Sequence, residues 1–398
     1  MKQKTVFYLL LSCVLQFGCT SNRQSPNDLP FIDVRKNYPE KEIVLTDIAD
    51  ITYLHLNTQS DDFLYRGGIQ YVTENTYLVV DFASNSILFF SKDGNPISRF
   101  NRYGQGPEEY VSLDYTNVIY DEAADDVYVP QGLRDFIQVY SSKGKFKRRL
   151  TLPNGLIHRG WSIIVSFDDQ SLLVFDSSIL WSKFERFVAT DHSALPPQLN
   201  DSSFILISKI DGTLLEYVEA TSLSTVIVNE RNGRLSMSTF YRITKCVDGF
   251  FLYHPENDTV YLYKNDKTLN PVLHKIPLIS ESPNFVMKGC LDAGRYQFMS
   301  VSKISDIENP VAYYMRDKAT DEVFRQKIVL PDYKGKVFFI HTYSHFVRYL
   351  ENEYHFYLSL SELKQANREN RLSGELKELV ATLNEDTDND IFMIVKFI

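Results

Sequence analysis

The sequence is poor in cysteine, in basic charge and in recognisable catalytic motifs. It has four cysteines in 398 residues, and none of them forms a C-x-x-C pair or another spacing typical of a metal site. The formal net charge is −9, which argues against a nucleic-acid partner because phosphate binding needs a basic surface. Neither a G-x-S-x-G nucleophile elbow nor an H-E-x-x-H zinc motif occurs. The sequence therefore predicts no cofactor.

Long helical patterns are also scarce, whereas aromatic residues are abundant. The chain contains 25 Tyr and 27 Phe, and these residues favour strands over helices. Apolar residues make up 44% of the chain, which is enough for a sizeable core. A chain of 398 residues exceeds what one small core can organise, so we expect either two domains or one large repeat architecture.

The N-terminus has the pattern of a secretion signal. Lys2 and Lys4 precede the apolar stretch TVFYLLLSCVLQFG, which is short for a membrane-spanning helix. The stretch ends at a glycine followed by Cys19 and resembles a bacterial lipoprotein signal, in which the cysteine sulfur receives a diacylglycerol. We therefore predict a lipoprotein signal peptide over residues 1–18, a lipid on Cys19 and a polar tether over residues 19–37. The alternative is an ordinary cleaved signal with an incidental cysteine.

A lipid on Cys19 would place the protein in the cell envelope, with the membrane as a partner. Each buried methylene group contributes about 0.8 kcal/mol, so two or three acyl chains anchor a protein stably. We expect the lipid to anchor the protein in the outer membrane. The residues after Cys19, TSNRQS, lack the acidic run that resembles a surface-export signal, which favours the periplasmic face.

Two cysteines remain in the mature chain, Cys246 and Cys290. A disulfide between them is permitted outside the cytoplasm. The alternative, which we favour, is a pair of buried thiols.

The clearest signal in the chain is an internal repeat. Residues 77–97 align without a gap with residues 127–147, at an offset of 50 residues. Gly94 and Gly144 coincide in this alignment and mark a hairpin turn, because glycine takes a positive φ without penalty. The pattern recurs in weaker form at residues 204–218, 249–276 and 311–329.

A repeat of this length with three or four short strands is typical of a β-propeller blade. We predict an all-β, six-bladed propeller with four-stranded antiparallel blades, as a single domain over residues 38–398. Residues 361–385 are predicted to form a short helical excursion that is interrupted near Gly374. A closing strand within residues 389–398 is expected to pair with an N-terminal strand within residues 42–56, which removes exposed sheet edges.

The stretch FNRYGQGPEEY, residues 100–110, contains a G-x-G element that raises the question of phosphate binding. A phosphate-binding loop opens a helix after a buried strand, but nothing helical follows here. We predict instead a structural turn between blades, made by Gly104, Gly106, Pro107, Glu109 and Tyr110. Glu109 is expected to accept hydrogen bonds from backbone N–H groups, and Tyr110 to pack between blades. A ligand-contacting role is the alternative.

Several of these features together resemble the six-bladed β-propeller lipoproteins of Bacteroides-like bacteria. The resemblance rests on the signal ending at Cys19 and on four segments, GQGPEEY (104–110), ILFFSKDGNPISRF (87–100), NDTVYLY with NPVLHKIPL (257–278) and NEDTDNDIFMIVKFI (384–398). In the last segment Asn389-Asp390 replaces the usual Asn-Pro of the family. The resemblance implies a propeller fold and an envelope location. It implies no reaction, so no catalytic residue is carried over.

Two other pairs of residues are candidates for metal binding or ligand binding. His341 and His345, four apart in a strand-like stretch, would share a face and are candidate metal ligands, although no acid lies between them at metal-ligand spacing. Trp161 and Trp181 are candidate contacts for a sugar ring or a peptide, with core packing as the alternative. The acidic clusters DDQS and EDTDND are interpreted as solvated turns.

These observations leave three functional hypotheses. The first, which we favour, is a non-catalytic envelope lipoprotein whose loop face binds a partner protein, peptide or glycan. The loops assigned to that face are residues 60–68, 101–116, 155–162 and 180–203, the last interpreted as an insertion. The second is a metal-dependent hydrolase or lyase, which requires three or more His, Asp or Glu side chains near one point of the central channel. The third is a scaffold, which requires a large exposed apolar patch.

Overall fold

In the described part of the chain, six sheets of mainly antiparallel strands surround a central channel, and a two-stranded hairpin stands apart from them. A computed structural model describes residues 29–58, 60–113, 118–131, 136–152, 164–175, 204–218, 228–231, 234–237, 242–253, 258–278, 281, 285–303, 311–341, 349–350 and 353–398. The predicted six-bladed β-propeller with four-stranded blades is confirmed. The predicted signal peptide, Cys19 and the insertion at 180–203 lie outside the described residues.

Three short strands precede the first complete blade. They are β1 (Phe31–Asp33), β2 (Glu40–Val44) and β3 (Ala49–His55). They do not pair with one another, because each joins the outer edge of a sheet that a later part of the chain forms.

The first three blades follow one another along the chain, and the strands of each blade pair in sequence order. Blade 1 consists of β4 (Gly67–Val72), β5 (Thr76–Asp81), β6 (Ser86–Ser91) and β7 (Pro96–Phe100). Blade 2 consists of β8 (Ile119–Asp121), β9 (Asp126–Pro130), β10 (Phe136–Tyr140) and β11 (Phe146–Thr151). Blade 3 consists of β12 (Ile164–Ser166), β13 (Ser171–Phe175), β14 (Phe204–Ser208) and β15 (Leu214–Val218).

The second half of the chain forms the other three blades. A separate hairpin comes first, made by β16 (Val228–Arg231) and β17 (Arg234–Met237). Blade 4 contains β18 (Arg242–Cys246), β19 (Gly249–Tyr253), β20 (Thr259–Lys264) and β21 (Leu269–Ile276). Blade 5 contains β22 (Phe285–Ala293), β23 (Tyr296–Lys303), β24 (Val311–Asp317), β25 (Val323–Val329) and the short β26 (Val337–Phe338). Blade 6 contains β27 (Tyr349–Leu350), β28 (Glu353–Leu358) and β29 (Ile391–Phe397).

The ring closes in blade 6, where the two ends of the propeller meet. Strand β29 pairs antiparallel with β3, from Ile391 opposite His55 to Phe397 opposite Ala49. The N-terminal strand β3 therefore supplies the outermost strand of the blade whose other strands come from the C-terminal part of the chain. This pairing confirms the predicted closure. It also satisfies the hydrogen-bonding edge of β29 that would otherwise be left unpaired.

The asparagine before the closing strand fastens this junction. Asn389 is buried, and its Nδ2 donates hydrogen bonds to the carbonyl oxygens of Leu56 and Phe63, at 2.8 and 2.9 Å. Its Oδ1 accepts a hydrogen bond from the backbone nitrogen of Tyr65 at 3.2 Å. The side chain thus holds the segment that leads from blade 6 into blade 1.

Two short helices lie between β28 and β29, as predicted. They are α1 (Leu360–Arg368) and α2 (Gly374–Thr382), and the break falls at Gly374, which has a φ of +56°. Helix α1 buries Leu360, Leu363 and Ala366, one face of the helix. Oδ1 of Asp390 accepts a hydrogen bond from the backbone nitrogen of Leu360 at 2.6 Å and so satisfies one free N–H group at the start of α1.

The predicted tether over residues 19–37 is too long at its C-terminal end. Strand β1 pairs in parallel with β21, and Ile32 is fully buried against blade 4. The backbone nitrogen of Val34 extends the pairing with a 3.0 Å hydrogen bond to the carbonyl oxygen of Ile276. Because these apolar side chains are covered by the propeller, the folded part begins before residue 38. Strand β2 pairs in the same way with β25 of blade 5.

Burial follows the position of a strand within its blade. Strands β5, β9 and β13 are buried at every position, because neighbouring blades cover both faces of the middle of a sheet. The outer strands β7, β11 and β15 alternate between half-buried and exposed positions, since solvent reaches one of their faces. Cys246 and Cys290 lie in this core as buried free thiols, the alternative that we favoured.

Candidate functional site

The GQGPEEY segment forms a closed loop between blades 1 and 2. The backbone nitrogen of Gly104 donates a hydrogen bond to the carbonyl oxygen of Tyr110 at 3.0 Å, and that of Tyr110 donates to the carbonyl oxygen of Arg102 at 2.9 Å. Oε2 of Glu109 accepts a hydrogen bond from the backbone nitrogen of Gly106 at 2.7 Å. A Cβ atom added to Gly104 would lie 1.9 Å from the same oxygen, so the carboxylate fits only beside a glycine.

Blade 2 holds the same loop from the other side. The ring of Tyr110 is fully buried and meets the edge of the Tyr140 ring at 5.9 Å between centroids. The carbonyl oxygen of Pro107 accepts hydrogen bonds from Nε2 of Gln138, at 3.2 Å, and from the guanidinium of Arg149. The five predicted turn residues are therefore brought together, and their polar groups contact protein atoms of the two blades.

The remaining candidate residues are scattered or lie outside the described part. His341 lines a cavity of about 190 Å³ between blades 5 and 6, with Phe339 and Tyr357 among the other lining residues. Its partner in the proposed pair, His345, lies outside the described residues, as do Trp161 and Trp181. Within the described ranges, no group of three or more His, Cys, Asp or Glu side chains is arranged to hold a metal ion.

A cavity of about 1160 Å³ lies at one end of the channel. Residues of blades 1, 2, 3, 4 and 6 line it. Many of them belong to the turns that join the first and second strands of a blade, such as 73–74 in blade 1, 121–123 in blade 2 and 168–169 in blade 3. We therefore call it the first-turn cavity.

The first-turn cavity lies at the opposite end of the blades from the loop at 60–68, one of those that the sequence suggested as a binding face. The loop at 60–68 leads into β4, whereas the cavity residues Thr73 and Glu74 follow the end of β4. A strand separates the two, so they lie at opposite ends of the channel. Sequence reasoning did not single out the acidic first turns as a group, because their convergence requires the ring closure that the structure provides.

Among the described residues, ten of the 22 that line this cavity are charged. Three lysines line it, Lys92, Lys209 and Lys245. Seven carboxylates line it, Glu74, Asp93, Asp121, Glu122, Asp168, Asp169 and Glu353. Four tyrosines contribute apolar surface, Tyr53, Tyr71, Tyr77 and Tyr120.

One of the three lysines, Lys209, already forms an ion pair with a carboxylate of the lining. Nζ of Lys209 lies 2.6 Å from Oδ2 of Asp121, and the Lys209 side chain is almost fully buried. The pair joins blade 3 to blade 2. Guanidinium Nη2 of Arg148 in blade 2 also donates to the carbonyl oxygen of Lys209 at 2.9 Å. These contacts fix the wall between the two blades.

A second group of titratable side chains sits where blade 6 meets blade 1. Nζ of Lys92 lies 4.4 Å from the centroid of the Tyr77 ring, and the ring of Tyr77 meets the edge of the His355 ring at 6.0 Å. Nε2 of His355 lies 3.7 Å from Oε2 of Glu353, which is too long for a good hydrogen bond. Neither ring nitrogen of this buried histidine has a closer partner in the described part of the chain.

The surroundings shift the pKa values of three side chains in this group. Burial lowers the pKa of the His355 imidazole and also lowers the pKa of the Lys92 ammonium, which the carboxylates of Glu353 and Glu122 only partly offset. The His355 imidazole and the nearby Lys92 hold the pKa of Glu353 below its usual range. At neutral pH the site therefore presents a carboxylate beside a neutral imidazole, both of which accept hydrogen bonds. Sequence reasoning missed this group because its members come from opposite ends of the chain.

Similarity to solved structures supports the fold and goes no further. A provisionally named exported protein from Bacteroides fragilis NCTC 9343 superposes with a TM-score of 0.57 at 16% identity, covering 90% of this chain and 98% of that chain. At this identity the likeness shows the fold alone. A member of the DUF4221 family from Bacteroides vulgatus ATCC 8482 gives a TM-score of 0.44 at 9% identity, covering 77% and 94% of the two chains.

Sequence comparison identifies the family. No curated protein matches the chain. In the described ranges, no helix is both long and apolar enough to cross a membrane. Residues 29–396 match the family described as a domain of unknown function, DUF4934, so the match spans the whole propeller. The chain belongs to the DUF4934 family.

Proposed function

We propose that the protein is a non-catalytic envelope lipoprotein that binds a partner protein, peptide or glycan in its first-turn cavity. The observation that carries this proposal is the cavity of about 1160 Å³, to which five of the six blades contribute. Binding sites for small ligands typically enclose about 300–1,000 Å³. The first-turn cavity therefore has room for a ligand larger than one sugar ring or one side chain.

The envelope location rests on the N-terminal sequence. The basic residues, the apolar stretch and Cys19 support export followed by lipidation, and the structural neighbour from Bacteroides fragilis is itself described as exported. Metabolic labelling with an alkyne-bearing fatty acid tests this part. We expect label on the wild-type protein and none on Cys19→Ser, together with release of Cys19→Ser from the outer-membrane fraction. Equal labelling of both proteins would contradict lipidation at Cys19.

Binding in the cavity can be tested by filling it. Ala123 lines the first-turn cavity and is exposed, so Ala123→Trp reduces the available volume without disturbing the core. The matched control is Ala381→Trp on the exposed surface of α2. We expect ligands found on peptide and glycan arrays to lose binding to Ala123→Trp and to keep binding to Ala381→Trp. If every ligand binds both variants equally, the cavity is not the site.

The alternative function is a metal-dependent hydrolase or lyase at the channel. Elemental mass spectrometry of the dialysed protein separates the two functions. Zinc, calcium or iron in a one-to-one ratio would contradict a non-catalytic role and direct attention to the channel side chains.

A further inference from the structure

The carboxylates of the first-turn cavity occupy equivalent places in different blades. Glu74 follows β4, Glu122 follows β8 and Asp169 follows β12, each in the turn after the first strand of its blade. Glu353 stands at the corresponding turn of blade 6, at the start of β28. Because the first strands surround the channel, these turns place a carboxylate from four blades at the same mouth.

Among the described lining residues, the negative charges outnumber the positive ones. Seven carboxylates face three lysines, and Lys209 already pairs with Asp121 at 2.6 Å. Glu74, Asp93 and Asp169 have no ion pair within the described ranges, and their side chains are exposed at the rim. A cavity with an excess of negative charge raises the local concentration of cations and disfavours anions.

A buried histidine lies directly behind Glu353 of the cavity lining. His355 is almost fully buried, has no hydrogen-bond partner among the described residues for either ring nitrogen, and lies beside the carboxylate of Glu353. A carboxylate only accepts hydrogen bonds, whereas a neutral imidazole has one acceptor nitrogen and one N–H donor. The group that complements the Glu353 carboxylate in the cavity lining is therefore one that donates, and ammonium and guanidinium groups donate without accepting.

One aromatic ring of the lining, that of Tyr77, already contacts a basic side chain. A sugar ring needs an open aromatic face, but Nζ of Lys92 already lies 4.4 Å from the centre of the Tyr77 ring. The tyrosines instead provide amphipathic surface for the apolar stems of lysine or arginine, whose charged ends reach the carboxylates. A single cation would engage only one of the acidic turns, whereas a chain with several cations spans turns of different blades.

We infer that the first-turn cavity binds a peptide segment that carries two or more lysine or arginine side chains. This inference rests on the proposed function and specifies the ligand of the same cavity. The contacts are expected at Glu74, Glu122, Asp169 and Glu353, with His355 behind Glu353.

The test measures the binding of defined peptides to the purified full-length protein in detergent by fluorescence anisotropy. The probe is a labelled peptide of alternating alanine and lysine, compared with alanine–serine and alanine–glutamate peptides of equal length. We expect only the lysine peptide to bind, and its affinity to fall as salt rises from about 50 to about 200 mM, because screening weakens attraction between exposed charges.

A pair of charge-matched variants locates the binding. Glu74→Gln with Asp169→Asn removes two rim carboxylates that make no ion pair in the described structure, so the fold is preserved. Glu378→Gln with Glu385→Gln removes two exposed carboxylates on and after α2. We expect the rim pair to weaken lysine-peptide binding about tenfold, an electrostatic effect, and the control pair to change it less than twofold.

The outcomes separate this inference from the proposed function. Absence of lysine-peptide binding, or equal weakening by both variant pairs, overturns the cationic ligand. If neutral or anionic array ligands bind and are blocked by Ala123→Trp, the cationic ligand is overturned but the cavity remains the binding site. If lysine-peptide binding is lost in the rim pair and in Ala123→Trp, both statements are supported.

Discussion

The hydroxyl group of Tyr110 donates a hydrogen bond to the carbonyl oxygen of Asn85, 2.7 Å away, and accepts one from the backbone nitrogen of Arg102 at 3.0 Å. Tyr110 is fully buried, so water cannot replace the hydroxyl when it is removed. We expect Tyr110→Phe to lower the free energy of unfolding by about 1–3 kcal/mol, the cost of leaving buried polar groups unpaired. Urea denaturation followed by fluorescence measures the loss.

A matched control lies in the same loop. The ring of Tyr103 is 54% exposed, and its hydroxyl makes no hydrogen bond within the described residues. Tyr103→Phe should change the free energy of unfolding by less than about 0.5 kcal/mol, as exposed substitutions usually do. Similar losses in both variants would show that the Tyr110 hydroxyl does not fasten the turn.

The close approach of Gly104 and Glu109 gives a prediction about coupling. A Cβ atom at residue 104 would lie 1.9 Å from Oε2 of Glu109, so Gly104→Ala must displace the carboxylate from the backbone nitrogen of Gly106. We expect Gly104→Ala to cost about 1–3 kcal/mol in the wild-type protein, as overpacking does. In a Glu109→Ala background no carboxylate stands in the way, so the cost should be smaller by at least about 0.5 kcal/mol. Strict additivity in urea denaturation of the four proteins would contradict the contact.

The parts of the fold that are encoded locally were predictable from the sequence. The aligned glycines Gly94 and Gly144 indeed occupy equivalent turns, with φ of +77° and +76°. Strand β5 and its counterpart β9 likewise begin 50 residues apart, at Thr76 and Asp126. Turn chemistry and the two-residue period of a strand are properties of adjacent residues, so they remain visible in one sequence.

Apart from the closure of β29 on β3, the contacts that depend on distant pairing were not predicted. Strand β1 has three residues, and it forms only because β21, far along the chain, offers an edge parallel to it. The first-turn cavity likewise brings Lys92 of blade 1 close to Glu353 of blade 6 only after the ring has closed. The sequence around β1, Lys92 and Glu353 does not reveal these contacts, because the role of each residue is set by a partner that lies far away along the chain.

The closure of the propeller gives a prediction at Asn389. Its side chain makes three hydrogen bonds, to the carbonyl oxygens of Leu56 and Phe63 and from the backbone nitrogen of Tyr65. We expect Asn389→Ala to lower the free energy of unfolding by about 3 kcal/mol, because it leaves these groups unpaired. Asn389→Asp should cost more at pH 7, since a carboxylate would face two carbonyl oxygens, and part of the loss should be recovered at acidic pH.

Urea denaturation at pH 7 and at acidic pH distinguishes these two asparagine variants. Asn270→Ala on the exposed edge of blade 4 is the control, and we expect a change of less than about 0.5 kcal/mol. A loss at Asn389→Asp that is equal to that of Asn389→Ala and independent of pH would contradict the contact with the carbonyl oxygens.

The two core cysteines should react only after unfolding. Burial raises the pKa of the Cys246 thiol to about 11 and that of Cys290 well above its usual range, so little thiolate is present in the native protein. We expect iodoacetamide to modify neither residue at pH 8 in the folded state and both after unfolding in guanidinium, as mapped by peptide mass spectrometry. Modification that requires a reductant after unfolding would instead reveal a disulfide between them.

The buried histidine of blade 6 should make stability depend on pH in a defined window. Burial lowers the pKa of His355 below the ordinary value of 6.5, so a proton binds more readily to this side chain in the unfolded chain than in the folded one. Above about pH 6.5 the residue is neutral in both states and contributes no pH dependence. As the pH falls below that value the unfolded state is protonated first, and the free energy of unfolding decreases until the pH reaches the folded-state pKa.

His355→Gln removes this titration and keeps a polar side chain of similar size. Between pH 7 and pH 5 we expect wild-type stability in urea to fall more steeply than that of His355→Gln, by up to about 1.4 kcal/mol per pH unit. His274, whose pKa is also lowered by burial but which is less deeply buried, provides the comparison through His274→Gln, for which the slope should change less. The carboxylates with lowered pKa, such as Asp126 and Glu353, lose their contribution only at lower pH. Identical slopes for the wild type and His355→Gln would mean that His355 is protonated equally in the folded and unfolded chain. In that case the imidazole beside Glu353 would not be held neutral by burial.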